Sequence, residues 1–172
     1  MVQGREEKHS RGDQEVQVTV MDADEQTRRT QAAVARRAYE IFESRGSAAW
    51  HELEDWREAE AELVRPLSCG RMKLGDSLWI GFDTALFQEG TIDIWVAPGR
   101  LTICGEPRVR REESAPKQAG SSKGRETIFR VADLPLETDP LKVTAKLRGR
   151  SLEVLLGKAG GKLEPATTAA AA

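Results

Sequence analysis

The sequence is expected to fold as a mainly β protein: an antiparallel, immunoglobulin-like β-sandwich preceded by a two-helix hairpin and flanked by disordered termini. Three observations carry this reading. Between Leu67 and Lys158, short alternating apolar runs follow one another with turn signals between them and no helical period among them. Residues 24–66 instead carry apolar residues at helical spacing. Both ends of the chain are polar or made of small residues.

The helical part comes in two pieces. In "DEQTRRTQAAVARRAYEIFESRG", Val34, Ala38, Ile41 and Phe42 recur at i, i+4, i+7 and i+8 and form one stripe. Asp24 is the expected N-cap and Gly46 the residue just past the end. Arg28, Arg29, Arg36 and Arg37 fall mostly off the stripe. Glu40 and Glu43 dilute their charge, so a solvated face is favoured over a DNA-reading one. In "EDWREAEAELVRP", Asp55 and Glu58 fit a capping box, Trp56, Ala59 and Leu63 share a face, and Pro66 stops the helix. Pairing the two helices buries Trp56, with Trp50 as a second candidate, against Ile41 and Phe42. Such a unit holds too little core to be stable unless it docks or dimerises.

The strands are read in order. "SLWIGFDT" places Leu78, Ile80 and Phe82 on one face. "TIDIWVAPGRLTICGE" reads as a hairpin, with Ile92, Ile94 and Val96 alternating, a Pro98-Gly99 turn of type II, and Leu101 and Ile103 alternating again. Cys104 falls out of that alternation and is expected to face away from the core. Residues 107–125 are charged and rich in small side chains, which predicts a long loop. "ETIFRVADLP", "DPLKVTAKL" and "SLEVLLGK" supply the last strands, with Arg148-Gly149-Arg150 as the final turn. Near the N-terminus, "VQVTV" aligns Val16, Val18 and Val20. Transient order in a flexible arm is the favoured reading there, and addition to an exposed sheet edge is the sharper one.

Composition narrows the function. The 172 residues carry a formal net charge of −2, so no global field draws the chain toward nucleic acid or an anionic membrane. No apolar run approaches the roughly 20 residues a membrane span needs, and the N-terminal residues lack the apolar stretch of a signal peptide, so a cytoplasmic location is expected. Cys69 and Cys104 are not spaced as a metal pair, and His9 and His51 lie apart from both. No Gly-rich phosphate loop, nucleophile elbow or His-Glu-x-x-His occurs, so neither an enzyme nor a cofactor is expected.

Two resemblances add to this. Ala38-Tyr39-Glu40-Ile41-Phe42-Glu43, Arg45-Gly46, Asp55-Trp56, Ala59-Glu60 and Leu63 resemble the bacterial domain-of-unknown-function family 2934, over about residues 32–64. That likeness implies an organisation and no activity. Phe129-Arg130, Leu134-Pro135, Asp139-Pro140, Val143, Ala145, Leu147, Leu152, Val154 and Lys158 resemble the α-crystallin domain of small heat-shock proteins. Upstream, Gln88-Glu89, the run from Ile92 to Val96, and Leu101-Thr102-Ile103-Cys104-Gly105-Glu106 match the same pattern, so the likeness covers about residues 67–158. The sequence departs from it in three places. Gly149 comes one residue early, Leu86-Phe87 replace a usual Pro-Gly, and the tail lacks the Ile-x-Ile or Ile-x-Val assembly motif.

The resemblance implies an α-crystallin-type sandwich over 67–158, a flexible arm over 1–23, the helical hairpin over 24–66 and a disordered tail over 159–172. It implies an ATP-independent holdase-type chaperone for unfolded or aggregation-prone proteins, with a protein-interaction module that is not a chaperone as the alternative. Its client or partner groove is expected at Ile94, Val96, Leu152 and Val154, residues that serve equally as ordinary core. A homodimer is expected, with contacts at Arg108, Arg110, Arg111 and Glu112. Nucleic-acid binding through Arg28, Arg29, Arg36 and Arg37 would show as salt-dependent DNA retention, and is not the expected partner class.

Overall fold

The computed structural model describes residues 14–46, 50–108 and 126–160. The elements are β1 (Gln14–Glu15), β2 (Val18–Val20), α1 (Ala23–Ser44), α2 (Glu52–Leu63), β3 (Val64–Pro66), β4 (Gly70–Leu74), β5 (Ser77–Asp83), a single 3-10 turn (Thr84–Leu86), β6 (Asp93–Ala97), β7 (Arg100–Gly105), β8 (Ile128–Asp133), β9 (Thr138–Arg148) and β10 (Ser151–Lys158). They build two five-stranded sheets, ordered β1-β9-β10-β5-β4 and β2-β6-β7-β8-β3. The mainly β sandwich with a helical pair is therefore the observed fold class. One feature differs from an all-antiparallel expectation: β2 pairs parallel with β6, and β3 parallel with β8. The two helices link β2 to β3, the outer strands of this sheet, so neither is tied to its partner by a tight antiparallel hairpin.

The core lies between the sheets. In the second sheet Ile94 faces Ile103 across the ladder and Val96 faces Leu101, which also pairs with Ala132. In the first, Ile80 pairs with Val154, which also pairs with Ala145, and Phe82 pairs with Leu152. All of these side chains are buried. Two-residue loops set the hairpins. Gly99, at φ +77°, supplies the left-handed position that a type II Pro-Gly turn demands. Gly149, at φ +60°, does so at the first loop position between Arg148 and Ser151, so the early glycine keeps the strand register intact.

The helices lie on the outer face of the second sheet. Thr102 Oγ1 donates to Gln26 Oε1 at 2.9 Å, Arg100 Nη1 donates to Thr27 Oγ1 at 3.1 Å, and the Arg29 guanidinium sits 5.7 Å from the Trp95 ring centre. Most of the stripe is seated as its spacing predicts: Val34, Ile41, Ala59 and Leu63 are buried, Ala38 and Trp56 pack partly buried against the core, and Phe42 is half-buried beside the exposed Tyr39. Trp50 does not join them; it is 91% exposed. Helix starts also differ from expectation. Asp22, not Asp24, caps α1, its Oδ1 accepting from Glu25 N at 2.6 Å. Helix α2 begins a turn before Asp55, which is buried within it, and Arg45 Nη1 lies 2.7 Å from Asp55 Oδ1. Helix α2 runs directly into β3, so Pro66 ends a strand that the sequence reading did not anticipate.

That covering layer explains Cys104. Thr102, Cys104 and their ladder neighbours Trp95 and Phe129 face the helices, not solvent. Cys104 thus faces away from the inter-sheet core as its alternation predicts, but the helices cover that face and leave it 2% exposed, not at the surface. Burial first, and the Asp93 carboxylate second, push its thiol up to about 12. Only the thiolate reacts quickly with disulfide reagents. Thiol titration of the native protein at pH 8 should therefore label Cys69, which is partly exposed, and reach Cys104 only in denaturant. The neutral thiol contributes stability that is fully present below the ordinary value of 9.0 and is lost as pH rises from there through about 12. Fast labelling of two thiols per native chain would contradict this placement.

Candidate functional site

A sheet edge exposes a row of backbone N–H and C=O groups ready to pair with another extended segment. The sandwich strands β6 and β9 stand at neighbouring margins of the two sheets, and the chain's own residues 14–20 close both. Gln14 pairs with Leu147 and Glu15 with Lys146, and Val16 N donates to Ala145 O at 3.1 Å. The segment then crosses to the other sheet, where Val18 pairs with Ile94 and Val20 with Val96, and Met21 N donates to Val96 O at 3.0 Å. Val16 and Val18 pack against the core beside the partly buried Val143 and Leu147. The sharper of the two readings of "VQVTV", addition to an exposed edge, is thus the observed one.

The four groove residues expected from the sequence divide between two places. Ile94 and Val96 lie on the margin strand β6, and Leu152 and Val154 on β10, which sits between β9 and β5 and has no free edge. All four are 0% exposed, as members of the sandwich core. What an extended segment meets here is therefore the backbone of β6 and β9 and the side chains of Val143, Ala145 and Leu147. The alternation of those three was legible in "VTAKL", but sequence alone does not say which strand of a sheet is outermost.

Of the expected dimer contacts, Arg108 is exposed and its backbone N donates to Leu86 O at 2.7 Å. Arg110, Arg111 and Glu112 lie outside the described residues. The remaining margins are β3 and β4. Strand β4 carries Arg71 and Lys73 opposite Ile80 and Leu78, charges at positions whose ladder partners point toward the core. Such charges discourage indiscriminate edge pairing.

Three of the four α1 arginines are engaged within the chain, and Arg36 is exposed. Arg28 and Arg29 each lie 2.7 Å from Glu25. Arg37 Nε lies 2.6 Å from Glu62 and 3.4 Å from Glu126, tying α1 to α2 and to the approach to β8. Hydrogen bonding to Glu62 holds the Arg37 guanidinium above its usual range. Among the described residues no group of three or more His, Cys, Asp or Glu is placed to hold a metal ion. Among them, too, no helix is long and apolar enough to cross a membrane.

Residues 29–64 match the family model described as a protein of unknown function, DUF2934. That span is the helical pair docked on the second sheet. No curated protein matches the chain. Among solved structures, the chain is similar to HSP18.5 from E. histolytica, at 12% identity and a TM-score of 0.43, covering 60% of this chain and 98% of that one. It is similar to heat shock protein 16.0 from Schizosaccharomyces pombe, at 20% identity and a TM-score of 0.42, covering 63% and 98%. A small heat-shock protein from Xylella fastidiosa is similar at 14% identity and a TM-score of 0.44, covering 62% and 98%.

Proposed function

We propose that the protein is an ATP-independent holdase that captures extended apolar segments of unfolded or aggregation-prone proteins, acting as a homodimer in the cytoplasm without a cofactor. One observation carries this reading: an extended segment with valines at alternate positions, residues 14–20, is seated along the margins of both sheets at once. A site that holds its own Val-x-Val-x-Val holds the same pattern from another chain, because backbone pairing supplies most of the affinity and shallow apolar contacts the preference. Unfolded proteins expose such segments. The sequence resemblance at residues 67–158 supports the same reading.

The test is suppression of heat-induced aggregation of a model protein at a near-stoichiometric ratio, with no nucleotide present. Suppression is expected, and its absence at every ratio would remove the reading. The alternative, an interaction module for one defined partner, is favoured by the exposed charges Arg71 and Lys73 on the margin strand β4, which select against promiscuous pairing. A single stable partner, recovered together with no binding of denatured proteins, would select it.

A further inference from the structure

We propose that residues 14–20 are a displaceable clasp, a built-in pseudo-ligand that keeps the two sheet margins closed until it lets go. This inference rests on the reading of those margins as the binding site and names how the site is regulated. Four features of the segment point to it. Its pairing is minimal, with two residues on β9 and three on β6. The β6 pairing is parallel, the slightly weaker arrangement per residue. Its own side chains are mostly exposed: among the valines Val20 is 46% exposed, and Val16 and Val18 are only partly buried. An open surface cleft of about 420 Å³ is lined by residues 15–18 and 143–145, so solvent reaches the junction between the segment and β9. By contrast, the strands underneath belong to the dense core, with Ile94, Val96 and Ala145 essentially fully buried. Few buried contacts over a well-packed platform are what allow one segment to open while the rest stays folded.

The attachment is also suited to release. Immediately after Met21, Asp22 caps α1 by accepting from Glu25 N, and Gln26 anchors the helix to Thr102. Segment 14–20 can thus leave, together with the bond from Met21 N to Val96 O, by turning at Asp22 without unwinding α1. Because it touches one margin of each sheet, one release event bares both. A client then competes with the clasp, and its apparent affinity falls by the fraction of time the clasp is open; a clasp closed nine-tenths of the time costs about tenfold.

The full-length chain supplies the test, with a fluorescent peptide of residues 14–20, Gln-Glu-Val-Gln-Val-Thr-Val, as the probe. Val16→Asp with Val18→Asp should free the clasp and raise peptide affinity about tenfold or more over the unaltered chain. In a Cys69→Ser background, Glu15→Cys with Lys146→Cys places two thiols at partnered positions on β1 and β9. Oxidation should abolish peptide binding and reductant should restore it. Hydrogen exchange of the unaltered chain gives an independent reading: the amides of Val16 and Met21 should exchange well before those of β7. Equal peptide binding by the freed and locked forms, no binding by the freed form, or clasp amides that exchange only with global unfolding would each overturn the proposal. A freed form that takes the peptide yet suppresses no aggregation keeps the clasp and removes the holdase reading. A chain that suppresses aggregation equally in the freed and locked states does the reverse.

Discussion

Leu152→Ala should lower the free energy of unfolding by about 2–5 kcal/mol, the range for deleting a buried leucine and leaving part of its volume empty. Leu152 is 0% exposed and pairs with Phe82 on one side and Leu147 on the other. Neighbours held in two ladders cannot collapse far into the gap, which places the loss in the upper half of that range. Urea denaturation followed by tryptophan fluorescence measures it, with an unchanged slope indicating that stability alone has moved. The result also decides between two roles for this residue. A groove-lining side chain would lose client affinity at little cost to folding, whereas a core side chain loses stability first. A midpoint unchanged by the substitution would return Leu152 to the groove.

The second large effect is expected at Arg45→Ala. Asp55 sits 2% exposed inside α2, and the Arg45 guanidinium at the end of α1 is the charge against it. Removing one partner of a fully buried pair costs about 3–5 kcal/mol, because the other charge is left in a poor medium. Arg45 is 39% exposed and also pairs with Glu58, so water softens the loss to about 2 kcal/mol. The double change Arg45→Met with Asp55→Leu should recover most of it, since an apolar pair of similar size leaves no charge stranded. Equal losses in the single and double variants would mean that the contact contributes shape and not charge.

Much of the architecture was legible in the residues, and the exceptions have local causes. The helical stripe, the Pro98-Gly99 turn and the strand alternation all follow from spacing, and apart from the half-buried Phe42 each is seated as its spacing predicts. The starting points of the helices were not legible. Asp22 and Asp24 are equivalent caps by type, and what chooses Asp22 is the bond from Met21 to Val96, which holds the chain extended up to that point. Asp55 has the spacing of a capping box with Glu58, but its charge is used against Arg45 in space, so the helix begins earlier. The burial of Cys104 was not legible for a related reason: alternation tells the two faces of a strand apart but not whether a second layer covers the outer one. Of the four residues expected to line a groove, Leu152 and Val154 lie on β10, one strand in from the margin, because the outermost position of β6 and β9 is a property of sheet order and not of composition.

Three of the four sheet margins are closed by strands that precede the sandwich strand they join: β1 on β9, β2 on β6 and β3 on β8. During synthesis each cover therefore leaves the ribosome before the surface it fits. The helical pair must wait for β6 through β8 before it has a sheet to lie on, β2 waits for β6, and β1 waits until β9 is made. A nascent chain halted within that window presents an unsheltered amphipathic helix pair beside half-built margins. The molecule is then in the state of the aggregation-prone chains it is proposed to hold, and long-range closure of this kind is slow.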